Sequence, residues 1–135
     1  MDLRLKGKVV VVSGSAGKEG SIGETIVKRL ADEGAIPALV DRNSRGFGYA
    51  EELQKRGIDA IFVQTDVTNP EAMENAIQKI AEKYGRIDAL INNVGVNDGA
   101  GLDATYEEFM NSLKLNMVSY FLLAKFALPY LKESR

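Results

Sequence analysis

A run of glycines and hydroxyls holds the most chemical promise in this sequence. Ser13-Gly14-Ser15-Ala16-Gly17-Lys18-Glu19-Gly20-Ser21-Ile22-Gly23 follows the β-branched run Val9-Val10-Val11-Val12 and precedes a helical apolar pattern. A turn that leaves a strand and opens a helix presents free backbone N–H groups at the positive helix end, where a pyrophosphate is held without cationic side chains, and glycines let the phosphate come close. The spacing is not Gly-x-Gly-x-x-Gly, so a turn that merely reverses the chain stays open as an alternative. A triphosphate loop built on Gly17-Lys18 fails twice. Val12 stands where the first glycine of Gly-x4-Gly-Lys-[Ser/Thr] belongs, and Glu19 replaces the hydroxyl that would hold Mg²⁺ and would itself repel phosphate.

The second chemical signal is Asp41, at the end of the next apolar run and eighteen residues after Gly23. A dinucleotide fold places there the carboxylate that accepts hydrogen bonds from the adenine ribose hydroxyls. The same charge would face a 2′-phosphate at close range, so NAD is favoured over NADP. Arg42 opposes this, because a guanidinium could instead pair with that phosphate or stack on adenine.

Other chemistries are excluded by composition. The 135 residues contain no Cys, His or Trp, which removes Ser-His-Asp triads, thiol nucleophiles, Cys/His zinc sites and disulfides within this sequence, and no metal site is expected. Seventeen Lys+Arg against nineteen Asp+Glu, interspersed, give a net charge of −2 and no basic stripe for a nucleic acid. No apolar run has the length of a membrane span, and the start Met1-Asp2-Leu3-Arg4-Leu5-Lys6-Gly7-Lys8 has no apolar core for secretion. The cytoplasm is the expected location.

The elements that position these residues read clearly. Val9–Val12 is a strand buried on both faces, and Ile22, Ile26 and Leu30 mark the core face of a helix that Gly34 stops. Ile36 to Val40 is a second strand, with Pro37 tolerable only near its start or on an edge. Ser44 is placed to cap a helix running to Arg56, Ala60–Val63 is a third strand, and Thr68 with Glu71 has capping-box spacing ahead of Met73, Ile77, Ile80 and Tyr84. Ala89–Ile91 is a fourth strand. Thr105 and Glu108 open helical sequence that continues to about Lys132, and its late part, Leu115 to Leu131, is apolar around most of its circumference. Either it is a central core helix or it also offers a face to a partner. Short apolar strands alternating with helices imply right-handed βαβ crossovers, hence an α/β, doubly wound parallel sheet (Rossmann), with residues 1–135 belonging to one dinucleotide-binding domain.

The ordered set of Gly14 to Gly23, Asp41, Asp66-Val67, Asp88-x-Leu90-x-Asn92-Asn93-Val94-Gly95 and Asn116 resembles the short-chain dehydrogenase/reductase family over essentially the whole chain. The resemblance implies that Gly14, Ser15, Ser21, Ile22 and Gly23 surround the cofactor phosphates. It implies that Asp66 and Val67 border the adenine, that Asn93, Val94 and Gly95 line the cofactor, and that Asn116 belongs to a proton-relay tetrad of Asn, Ser, Tyr and Lys. Taken singly, Asp66 could merely lead into a capped helix, Asn93 could be a turn former and Asn116 a satisfied core amide.

The segment Asn93 to Asp103 is similar to the aldose-oxidising members, L-fucose dehydrogenases in particular, in which a sugar gives hydride to the nicotinamide and a lactone forms. Asn97 and Asp98 would then bond sugar hydroxyls, or belong to a plain solvent loop. The chain also departs from the family. Its glycine turn is three positions longer than Gly-x-x-x-Gly-x-Gly, Ser21 stands at the middle glycine, and Val94 replaces the usual Ala. None of Tyr49, Tyr84, Tyr106, Tyr120 or Tyr130 has Lys four residues on, so the family's Tyr-x-x-x-Lys and its catalytic Ser are expected beyond Arg135. The 135 residues are therefore expected to be inert alone, as the N-terminal part of a homo-oligomeric sugar or alcohol dehydrogenase; the alternative is a non-catalytic NAD-binding or interaction module.

Overall fold

Val9–Ser13 (β1), Ile36–Asp41 (β2), Ile61–Gln64 (β3) and Ala89–Ile91 (β4) form one parallel sheet in the order β3-β2-β1-β4 in the computed structural model, which describes residues 1–134. The valine run explains why β1 is central. Val9 and Val11 enter the core on one face and Val10 and Val12 the core on the other, so every position favours a stiff β-branched side chain. Helices α1 (Ile22–Asp32) and α2 (Arg45–Lys55) cover the Val10 face, and α3 (Pro70–Tyr84) with α5 (Ser119–Glu133) covers the Val9 face.

Pro37 lies in an interior strand without loss. Ile36 donates its N–H to Lys8 on the β1 side, so the donor that Pro37 lacks would face β3, whose pairing begins only at Ala38 with Ile61. At the other edge β4 pairs with β1 alone among the described residues. Asp88 ties the starts of these two strands together. Its Oδ2 accepts the Val9 N–H at 2.8 Å, and Arg86 donates to both of its oxygens.

Several local expectations need correction. The buried face of α1 is Val27, Leu30 and Ala31, with Ile26 half-buried against the same core, whereas Ile22, the first helical residue, is 72% exposed. Ser44 does stand at the N-cap position of α2, but its side chain makes no capping bond; Asn43 Oδ1 accepts the Arg45 N–H instead. The cap of α3 is Asn69, not Thr68, because the Thr68 N–H and hydroxyl both donate to Asp66 Oδ1, at 2.9 and 2.7 Å. Thr105 and Glu108 do form their reciprocal box, opening α4 (Tyr106–Leu113). The helix beyond is broken by a π-helical turn over Lys114–Val118 before α5 begins. One stripe of α5, Ser119, Leu123 and Ala127, is buried, while Met117, Phe121 and Leu128 stand exposed, so the apolar circumference is only partly a core.

Candidate functional site

All four strands deliver their C-terminal ends to one side of the sheet, where a cleft of about 360 Å³ opens. It sits where strand order reverses, between the loops after β1 and β4, the position at which open parallel sheets take their ligands. The β1 loop contributes Gly14, Gly17, Ser21, Ile22 and Gly23 to its wall, and the β2 loop Asp41 and Arg42. The β3 loop adds Thr65, Asp66 and Val67, and Asn93 to Val96 close the far side beside Leu115.

The absence of side chains shapes the glycine loop. Gly14 has φ +65°, and a Cβ there would lie 2.9 Å from the Val94 nitrogen. A Cβ on Gly23 would come within 1.9 Å of the Gly14 carbonyl oxygen, which Asn93 Nδ2 holds at 2.9 Å, and one on Gly17 would reach 2.6 Å from Ser21 Oγ. The loop is thus seated against the end of β4, and Asn93 N–H in turn donates to Ser13 Oγ at 3.2 Å. Ser21 caps α1 by accepting the Glu24 N–H at 3.4 Å, leaving the N–H groups of the first turn directed toward the cleft end of the helix.

Glu24 is buried behind this turn and does not line the cleft. It accepts the Gly20 N–H at 3.2 Å and pairs with Lys28; the Lys28 hydrogen bond holds its pKa below the ordinary carboxylate value against the opposing effect of burial. The Ser21-x-x-Glu24 spacing was the available sequence signal for this group.

Asp41 is held rigidly at the lip. Its Oδ2 accepts the Ala16 N–H and its Oδ1 the Asn43 N–H, both at 2.8 Å, which leaves acceptor positions on each oxygen for a ligand. Asp66 is kept ionised below its usual range, first by the Thr68 hydroxyl and then by the Thr68 N–H. Thr65, unnoticed in the sequence, is buried next to it, with its hydroxyl donating to Val63 O at 2.9 Å.

Four residues of the sequence expectation lie off the wall. Ser15 is fully buried and its hydroxyl faces Val40 O at 3.4 Å, because the chain turns back toward β2 at that point. Asn116, in the π turn, accepts the Val96 N–H at 2.8 Å and donates to Val96 O and Ser112 O, so its amide braces the segment after β4. Tyr120 supports the same segment by donating to Val94 O. Asn97 and Asp98 also lie off the wall: Asn97 accepts the Gly99 N–H, and Asp98 accepts the Ala100 N–H and the Ser112 hydroxyl.

A glycine-lined turn at a helix start, an acid at the next strand end and a cleft at the switch point belong to a Rossmann-like α/β fold. The sequence matches the short chain dehydrogenase family over residues 4–135, and the chain belongs to that family. It is 35% identical to the L-fucose dehydrogenase of Oryctolagus cuniculus over 98% of this chain and 45% of that protein. The L-sorbose reductase of Gluconobacter frateurii, solved with NADPH and L-sorbose, superposes with a TM-score of 0.91 at 29% identity, over 98% of this chain and 51% of that one. An NADH-dependent reductase, A1-R′, solved with NAD, gives 0.83 at 27% identity, over 99% and 56%. The chain spans about half the length of the relatives it matches. No helix among the described residues is long and apolar enough to cross a membrane.

Proposed function

We propose that the cleft binds a nicotinamide dinucleotide, NAD in preference to NADP, and that residues 1–135 are the cofactor-binding part of an oxidoreductase acting on a sugar or another secondary alcohol. The observation that carries this reading is the open cleft at the strand ends, walled by a glycine loop whose missing side chains let it seat closely against the end of β4, with the fixed Asp41 carboxylate at its lip. The α1 N–H groups with Ser21 would hold the pyrophosphate, Asp41 the ribose hydroxyls, Asp66 and Val67 the adenine end, and Asn93 to Gly95 the nicotinamide half. When bound, the dinucleotide supplies the hydride acceptor. Asp41, already bonded to two backbone amides, cannot swing aside, and a 2′-phosphate would meet its charge directly. The Asn116 amide fixes Val96 and with it the course of the cofactor wall.

The polyhydroxylated substrates in the names of the L-fucose and L-sorbose enzymes support an aldose-like alcohol as substrate. Exposed Phe109, Met117 and Phe121 support a homo-oligomer, and the interspersed charges, without a basic stripe, speak against a nucleic-acid partner.

Calorimetric titration with NAD⁺ and NADP⁺ tests the reading: NAD⁺ binds the more tightly. Substituting Asp41→Asn narrows the preference by about tenfold, equivalent to about 1.4 kcal/mol, chiefly by admitting NADP⁺. Binding of neither dinucleotide by the folded chain, or tighter NADP⁺ binding, defeats the proposal. Binding of NAD⁺ without hydride transfer in any longer form of the protein selects the non-catalytic module instead.

A further inference from the structure

The lengthened glycine loop raises a mechanical question, since three extra positions in a phosphate cradle add freedom that a bound dinucleotide must remove. Two side chains of α2 address it. Arg45 Nη1 donates to Ala16 O at 3.0 Å and Tyr49 Oη to Gly17 O at 2.7 Å, both from outside the cleft. With Asp41 holding the Ala16 N–H, the Ala16 residue is gripped at both its N–H and its C=O, and the following carbonyl is gripped as well. The helix that carries these donors is brought close by a missing side chain. A Cβ on Gly46 would run into the Phe62 ring of β3, and Phe47 stacks edge-on to the same ring at 4.7 Å.

We infer that Arg45 and Tyr49 are positioning residues that strap the loop from behind and so preorganise its amides for the pyrophosphate. The inference rests on the cofactor reading above. Neither side chain lines the cleft, so neither touches the ligand; both act through the Ala16-Gly17 backbone. Tyr49 stays a phenol donor at all working pH values, since burial first and Glu24 second push its pKa up. Both donors are needed because Gly17 and Gly20 flank the looped-out Lys18-Glu19 step, and Glu24 secures only the far end through Gly20.

The test is calorimetric titration of the unmodified chain, Tyr49→Phe and Arg45→Met with ADP-ribose and with adenosine, alongside amide exchange without ligand. Tyr49→Phe keeps the ring packing and removes one donor. Each substitution should weaken ADP-ribose by about fivefold, the usual worth of one such bond, while adenosine binding stays unchanged. Exchange should quicken at Ala16 to Gly20 and stay as it was in β1 and α1. A merely structural defect would instead weaken both ligands together and quicken exchange throughout. Unchanged ADP-ribose affinity in both variants, or equal loss for adenosine, overturns the inference while leaving the cofactor reading intact. Failure of the unmodified chain to take ADP-ribose overturns both.

Discussion

Gly23→Ala is expected to abolish dinucleotide binding, with an affinity loss of about a hundredfold or more, equivalent to about 2.7 kcal/mol. The added methyl would lie 1.9 Å from the Gly14 carbonyl oxygen and 2.7 Å from Asn93 Nδ2. Neither neighbour is a flexible side-chain end: one is backbone, and the other is bonded to that same carbonyl. Relief therefore requires α1 to move away from the β4 loop, which opens the cradle and parts the helix amides from the cleft. Overpacking of this kind costs about 1–3 kcal/mol of stability, so urea unfolding should register the change as well. A Gly23→Ala chain that binds NAD⁺ normally would show that the ligand does not use this end of α1.

The second large effect is expected at Asp88, whose side chain is only 7% exposed. Asp88→Ala strips the Val9 N–H of its acceptor and leaves Arg86 without its bidentate partner, at a cost of about 2–3 kcal/mol. Asp88→Asn, which keeps an acceptor for Val9, should cost less. The same carboxylate makes stability depend on pH. Burial works to raise its pKa, but the Arg86 hydrogen bonds, the Val9 N–H and the nearby charges of Arg86 and Lys8 outweigh it and leave the pKa below the ordinary 3.8. A lowered folded-state pKa means that the unfolded chain binds the proton first. The contribution is therefore complete above the ordinary value and disappears as the pH falls from there through the folded value. Denaturation midpoints measured downward from pH 5 should fall steeply for the unmodified chain and less steeply for Asp88→Asn; parallel curves would assign the acid sensitivity elsewhere.

The legible parts of this fold were those in which side-chain type and backbone demand coincide. Val9 to Val12 announced a doubly buried strand because alternate valines feed two separate cores. The Asp41 position could be read because strand length and helix length together fix where β2 ends. Capping bonds were harder, since neighbouring polar residues compete for the same N–H: Asn69 took the role expected of Thr68 once Asp66 had engaged Thr68, and at the start of α2 Asn43 makes the bond that the Ser44 side chain does not. The inward turn of Ser15 and the outward position of Ile22 follow from the exact path of the lengthened loop, which spacing does not encode. Arg45 and Tyr49 were invisible for a related reason, because their partners are backbone carbonyls about thirty residues away with no sequence signature of their own.

The π turn at Lys114–Val118 has a consequence for how this corner tolerates changes of length. A π turn is an α-helix with one surplus residue, and removing that residue restores ordinary winding without rotating the flanking helices relative to each other. A one-residue change of length here is thus separable from the packing of α4 and α5. What a shortened version would forfeit is the reach of the Asn116 amide to both polar groups of Val96. The grip on that wall is purchased with chain length rather than with an unusual residue, so a relative carrying the same asparagine in an uninterrupted helix would present it at a different azimuth.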